Sequence, residues 1–99
     1  MSDNATLLVT AVPNAEESDA MQEYLQGVMP LLVGAGGELV KRLQVADVIN
    51  GDPTGMALVM DFPSTDVITE LFESDAYASL VPARDRGFKE MNILIANSL

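Results

Sequence analysis

The chain has 99 residues, which is enough for one domain with a small hydrophobic core. Fifteen acidic and five basic residues give a net charge of −10. Such a surface repels phosphate, so nucleic acids and anionic membrane surfaces are excluded as expected partners. Cysteine and histidine are both absent, which excludes disulfides, thiolate catalysis, histidine-ligated haem, ordinary catalytic zinc and a Ser-His-Asp triad.

The first residues, 1–4, contain no basic segment and no long apolar core, so no secretory signal is expected. No apolar run approaches the ~20 residues that are needed to span a bilayer. Acidic residues also lack the spacing of a calcium-binding loop. We therefore expect a cytoplasmic protein without a metal or cofactor, in which carboxylates, tyrosine, lysine or bound water would carry any proton transfer.

The first half of the chain predicts a strand over residues 6–12 and then a helix. Asn14 can cap this helix, and Glu17 stands at the capping-box distance. Pro30 predicts a kink, and the glycine-rich residues 34–37 predict the end of the helix. One apolar stripe recurs at helical spacing and is formed by Met21, Tyr24, Leu25, Val28, Met29, Leu32 and Val33.

Residues 38–49 are predicted as a second strand at an edge of the sheet, because Lys41 and Arg42 discourage further strand pairing. Arg42 could pair across this edge or reach a partner subunit. Turn-forming residues 50–55 then predict a hairpin. The return strand, residues 56–62, is apolar except for Asp61, which places it in the centre of the sheet.

The last part of the chain predicts a second helix and a final strand. Ser64 can cap the helix, and Ser74 can cap a short second piece of it. We expect residues 82–87 to be a polar connection and residues 89–96 to be the last strand. The order β-α-β-β-α-β predicts an α+β, ferredoxin-like fold with a four-stranded antiparallel sheet and two helices on one face.

Dimerisation is predicted from strands that have no polar face. Met56-Ala57-Leu58-Val59-Met60 is apolar throughout, and the first and last strands contain similar runs. Two helices can cover one face of the sheet, so the other face needs a partner. A second copy of the chain is the simplest partner.

The later residues carry a family resemblance. The stretch Asp61-Phe62-Pro63-Ser64, then Leu71-Phe72, then Ser74-Asp75-x-Tyr77-x-x-Leu80-x-Pro82-x-Arg84 resembles a bacterial family of domains of unknown function. That family belongs to the dimeric α/β-barrel superfamily. The likeness extends over most of the chain and includes Pro30, the pair Gly36-Gly37 and Gly51.

The resemblance implies a single domain over residues 1–99 whose sheet packs on the sheet of a second copy. Relatives in the superfamily include cofactor-free monooxygenases, lactone isomerases and haem-degrading enzymes, with a pocket between the sheet and the helices. This chain lacks both histidine and tryptophan, so it cannot copy the haem-degrading or histidine-dependent sites.

Arg84 is the first candidate for ligand binding, since it matches the family pattern and is one of only five cations. Its guanidinium could hold a carboxylate or phosphate, or it could form a structural ion pair with Asp61 or with a helix C-terminus. Tyr77 and Ser74 could add hydrogen bonds beside it, or could serve in packing and helix capping respectively. Asp61 is the candidate catalytic base if it points into a cavity, and otherwise a solvated strand-end carboxylate.

Three functions are compatible with these residues. The first is a homodimer that binds a small organic ligand, which is anionic if Arg84 contacts it, or that has a structural role. The second is a cofactor-independent enzyme, isomerase or monooxygenase-like, that acts on an organic acid or lactone with Arg84 and Asp61 converging on one cavity. The third is a protein-interaction module that uses the acidic surface.

Overall fold

A four-stranded antiparallel sheet with the strand order β2-β3-β1-β4 forms the centre of the computed structural model, which describes residues 4–52 and 54–99. The start of the chain, residues 1–3, and Pro53 of the predicted turn lie outside the described residues. The strands are β1 (Ala5–Pro13), β2 (Glu38–Gln44), β3 (Met56–Phe62) and β4 (Phe88–Ala96). The helices are α1 (Ser18–Gly34), α2 (Thr65–Phe72), α3 (Asp75–Ala78) and α4 (Val81–Gly87).

This order confirms the ferredoxin-like prediction, with β1 and β3 in the middle of the sheet. The segments α2 and α3 are the two pieces of the interrupted helix that was expected, and one further short helix, α4, follows them. The capping serines are those that the sequence indicated. Ser64 Oγ accepts a hydrogen bond from the Val67 amide at 3.3 Å, and Ser74 Oγ accepts one from the Tyr77 amide at 3.2 Å.

Residues 82–87 are helical, so their prediction as a connection was wrong. Pro82 lies in the first turn of α4, where a helix needs no hydrogen bond from the backbone nitrogen. At its other end, α4 approaches α1 very closely. A Cβ atom at Gly87 would lie 2.5 Å from the Met21 nitrogen, so only glycine allows this approach.

The start of α1 also differs from the prediction. Asn14 does cap the chain, since its Oδ1 accepts a hydrogen bond from the Glu16 amide at 3.2 Å. The first turn, Ala15–Glu17, is a 3₁₀ helix. Glu17 does not close a capping box, because its carboxylate pairs with Arg86 at 3.0 Å. The helix ends as expected, with Gly36 in the left-handed region at φ 91°.

Strand β2 is an edge strand, as predicted, and all its residues are exposed. It is shorter than the predicted residues 38–49. Its last residue, Gln44, pairs with Met56, the first residue of β3, so β3 offers no strand partner to the residues that follow. The hairpin connection is therefore longer than the turn signal suggested.

The helices cover only one of the two faces of the sheet. The face toward the helices carries the core, and its most completely buried side chains are Phe62, Leu7, Met60 and Ile68. On the opposite face, Leu8 stands between Val59 of β3 and Leu94 of β4. Leu94 is 51% exposed, so this apolar row across the sheet is not covered within one protomer.

Candidate ligand-binding site

A cavity of about 300 Å³ lies between the helix-side face of the sheet and α1. Its walls are aliphatic and aromatic side chains from α1 and from strands β1, β3 and β4, together with Phe72 of α2. Tyr24 and Arg42 are the polar residues of the lining. This volume and this lining are typical of pockets that hold a small organic molecule by its apolar body.

Tyr24 is connected to the protein surface through two further side chains. Its hydroxyl lies 2.9 Å from the hydroxyl of Tyr77, and Arg84 Nη1 donates a hydrogen bond to the Tyr77 oxygen at 3.1 Å. Both tyrosines are buried, at 4% and 3% exposure. The chain of bonds therefore runs from a partly exposed guanidinium to the buried hydroxyl of Tyr24, a residue of the cavity wall.

Aromatic contacts fix the position of this hydroxyl. The Tyr24 ring meets Phe88 edge to face at 5.7 Å between centroids and meets Tyr77 in the same way at 6.1 Å. Phe72 packs on Tyr77 at 4.7 Å. Because these rings belong to α1, α2, α3 and β4, the packing of four elements holds the site.

The charge states of Tyr24 and Arg84, the two ends of this chain of hydrogen bonds, follow from their surroundings. Burial, followed by the hydrogen bond to Tyr77, raises the pKa of Tyr24 far above its usual range, so this hydroxyl is neutral. Partial burial lowers the pKa of Arg84, but hydrogen bonds to Tyr77 and Asp85 outweigh that effect and leave its pKa raised. The site thus contains a neutral hydroxyl that is connected through Tyr77 to a permanent cation.

Arg84 does not line the cavity. Its Nη2 lies 3.1 Å from Asp85 Oδ1, and its side chain is 27% exposed. The sequence offered Asp61 as an ion-pair partner of Arg84, but Arg84 pairs with Asp85. Arg84 instead lies between two shallow surface grooves, beside Phe88 in one and beside Phe72 in the other.

Ser74 serves the helix and not the cavity. In addition to capping α3, its hydroxyl donates a hydrogen bond to the Leu71 carbonyl at 2.6 Å. Both hydrogen bonds are to backbone groups. The bond from the Tyr77 amide caps the first turn of α3, the helix that carries Tyr77. The capping role that the sequence offered as the alternative is the one found.

Asp61 lies on the open face of the sheet. It pairs with Thr6 in the register of β1 and β3, and Thr6 Oγ1 donates a hydrogen bond to its carboxylate at 3.0 Å. Arg84 contacts Tyr77 on the helix side. The two residues therefore lie on opposite sides of the sheet, and the enzyme mechanism that required them in one cavity has no support in this protomer.

Arg42 is the residue whose position the sequence did not reveal. A register shift between Leu39 and Lys41 sets Arg42 opposite Leu58, and both residues line the cavity. Simple alternation along β2 does not predict this, because an extra residue at a bulge reverses the faces that follow it. Tyr24 was expected in the core, and its hydrogen bonds were not foreseen.

Nowhere in residues 4–52 and 54–99 do three or more acidic side chains gather as metal ligands would. Within the same residues, no helix has the length and apolar character needed to cross a membrane.

A family model described as a domain of unknown function, DUF1330, matches residues 5–99. The chain belongs to the DUF1330 family. This confirms the resemblance to a family of unknown function. No curated protein matches the chain significantly.

Solved structures show the same fold at low sequence identity. A protein of unknown function from Rhodopseudomonas palustris matches with a TM-score of 0.80 and 14% identity, over 100% of this chain and 85% of its own. A proposed antibiotic biosynthesis monooxygenase from Nitrosomonas europaea matches at 0.69 and 18%, over 100% and 93%. A dimeric ferredoxin-like protein of unknown function from Bacteroides fragilis matches at 0.63 and 11%, over 98% of each chain. At these identities the likeness establishes the fold alone.

Proposed function

We propose that this DUF1330 protein is a cytoplasmic homodimer that binds a small organic ligand in the cavity of each protomer. The observation that carries the proposal is the apolar cavity of about 300 Å³ with Tyr24 in its lining. An apolar lining favours a ligand with an apolar body, and a single hydroxyl can orient it. We place binding ahead of catalysis because Asp61 and Arg84 do not meet.

Arg84, Tyr77 and Ser74, the candidates that the sequence indicated, support Tyr24 from outside the cavity. Arg84 donates a hydrogen bond to the Tyr77 oxygen, and the hydroxyls of Tyr77 and Tyr24 share a further hydrogen bond in which either can be the donor. This network holds Tyr24 in place in the cavity wall, and the cationic end of the chain strengthens it. Ser74 contributes by capping the helix that carries Tyr77.

The homodimer has two supports. The row formed by Val59, Leu8 and Leu94 is apolar and uncovered, as a sheet face packed on a second sheet would require. The relative from Bacteroides fragilis is itself dimeric. The cysteine-free composition is compatible with the cytoplasmic location.

The proposal can be tested with N-phenyl-1-naphthylamine, a neutral apolar fluorophore whose emission rises in apolar surroundings. We expect saturable binding to the wild-type protein. Val28→Phe, which enlarges a buried side chain of the cavity wall, should weaken binding at least about tenfold, or ~1.4 kcal/mol.

Val33→Phe is the matched control, since Val33 lies on the same helix but is 62% exposed. It should bind the fluorophore as the wild type does. Circular dichroism verifies that both variants are folded. Equal binding by wild type and a folded Val28→Phe variant would place the fluorophore outside the cavity and contradict the proposal.

A further inference from the structure

We propose that Arg42 binds the anionic group of the ligand, so that the cavity selects apolar organic compounds carrying one negatively charged oxyacid group. This inference rests on the proposed function and deepens it, because it names the chemical class of the ligand. It also moves the anion-binding role from Arg84 to a residue that lines the cavity.

The position of Arg42 suits this role. It lies on the exposed edge strand β2, yet its register with Leu58 directs it to the helix-side face, where it borders the cavity. Because Arg42 is exposed and also borders the cavity, we place it at the cavity mouth. Long cationic side chains commonly adopt this arrangement.

The guanidinium of Arg42 is available for a ligand. It forms no hydrogen bond or ion pair with any residue in the described parts of the chain. Arg84, in contrast, already contacts Asp85 and the hydroxyl of Tyr77. A free guanidinium offers planar donors that match the two oxygens of a carboxylate, sulfonate or phosphate group.

The distribution of charge around the cavity also supports anion binding at Arg42. The whole chain has a net charge of −10, but Arg42 is the one charged residue among the described residues that line this cavity. The overall field opposes the approach of an anion, so a local cation is needed if the cavity is to hold one. The neighbouring Lys41 pairs with Val59 and belongs to the opposite face.

The two polar residues of the lining approach the cavity from different sides. Tyr24 packs on Phe88 of β4, whereas Arg42 is on β2 at the other edge of the sheet. Three strand intervals separate β2 from β4, which is roughly 14 Å between strand axes at the usual spacing. We therefore expect the anion of the ligand at Arg42 and its apolar body toward Tyr24.

A matched pair of fluorophores tests this inference. N-phenyl-1-naphthylamine and 1-anilinonaphthalene-8-sulfonate share one apolar body, and only the second carries a sulfonate. We expect Arg42→Gln to weaken binding of the sulfonate about tenfold and to change binding of the neutral compound less than about twofold. Arg86→Gln removes the same charge from the surface of α4, where Arg86 pairs with Glu17, and should change neither.

The outcomes separate the two proposals. If Arg42→Gln weakens the sulfonate no more than Arg86→Gln does, Arg42 is not the anion-binding residue, although cavity binding can still stand on the neutral compound and Val28→Phe. If Val28→Phe leaves both fluorophores bound, both proposals fail. Because Arg42 is exposed on an edge strand, the variant is expected to fold normally.

Discussion

Two tyrosine hydroxyls and one guanidinium make up the polar interior of this protein beside its cavity. Tyr24 and Tyr77 satisfy each other at 2.9 Å, and Arg84 donates a further hydrogen bond to Tyr77. Buried hydroxyls without such partners would cost free energy on folding. The arrangement keeps the Tyr24 hydroxyl neutral.

This neutrality predicts an alkaline loss of stability. The pKa of Tyr24 is raised in the folded protein above its unfolded value of about 10, so the folded state retains a proton that the unfolded state releases. The free energy of unfolding should be unaffected by this group below pH 10. It should then fall by up to ~1.4 kcal/mol per pH unit as the pH rises further.

Urea unfolding between pH 8 and pH 11.5 measures this effect. The Tyr24→Phe variant lacks the titrating hydroxyl, so its free energy of unfolding should decline less steeply above pH 10 than that of the wild type. Parallel curves for the two proteins over this range would show that ionisation of Tyr24 does not limit alkaline stability.

At the scale of elements, local signals in the sequence predicted most of the fold. Helical spacing and the serines at 64 and 74 gave the helices and their starts, and uninterrupted apolar runs gave the central strands. Segment α4 was missed because a proline in a first helical turn looks the same as a proline in a loop. The end of β2 was missed because pairing with β3 decides it.

The candidate site was predictable only in part, for related reasons. Tyr77 and Arg84 were expected to lie together, and they do, at 3.1 Å. Tyr24 and Tyr77 are 53 residues apart in sequence, so local spacing could not predict that their hydroxyls meet. The side of the sheet to which Arg42 belongs depends on the bulge in β2, which leaves no distinct signature in the sequence.

Substitutions at Ser74 distinguish a helix-capping role from a ligand-binding role. Ser74→Ala should lower the free energy of unfolding by about 1 kcal/mol, because it removes the cap of α3. Ser74→Asn retains a capping side chain and should restore most of this loss. Chemical denaturation gives both values. If Ser74→Ala weakened the binding of the anilinonaphthalene sulfonate while leaving stability unchanged, Ser74 would be a ligand residue and not a cap.

At the scale of the whole molecule, the helices cover one face of the sheet and leave the other uncovered. Val59, Leu8 and Leu94 form an apolar row across three strands on the uncovered face. Apolar rows of this kind are stabilised when a second protein surface excludes water from them. The same layering leaves the cavity within each protomer, on the side away from the proposed interface.

Val59→Asp tests this arrangement, because it places a charge in the middle of the row. Sedimentation analysis should show a two-chain species for the wild type and a one-chain or unfolded species for the variant. Val33→Asp adds the same charge at a side chain that is 62% exposed on α1, and it should remain a dimer. A stable Val59→Asp dimer would rule out packing through this face.

The central claim is that the cavity between the sheet and α1 is the ligand site, and a crystal structure of the protein with 1-anilinonaphthalene-8-sulfonate tests it most directly. We expect the naphthalene rings to lie in the cavity against Val28, with the sulfonate at Arg42 and the open sheet faces of two protomers in contact. A fluorophore bound between the two sheets or on the outer surface, with the cavity empty, would contradict the account.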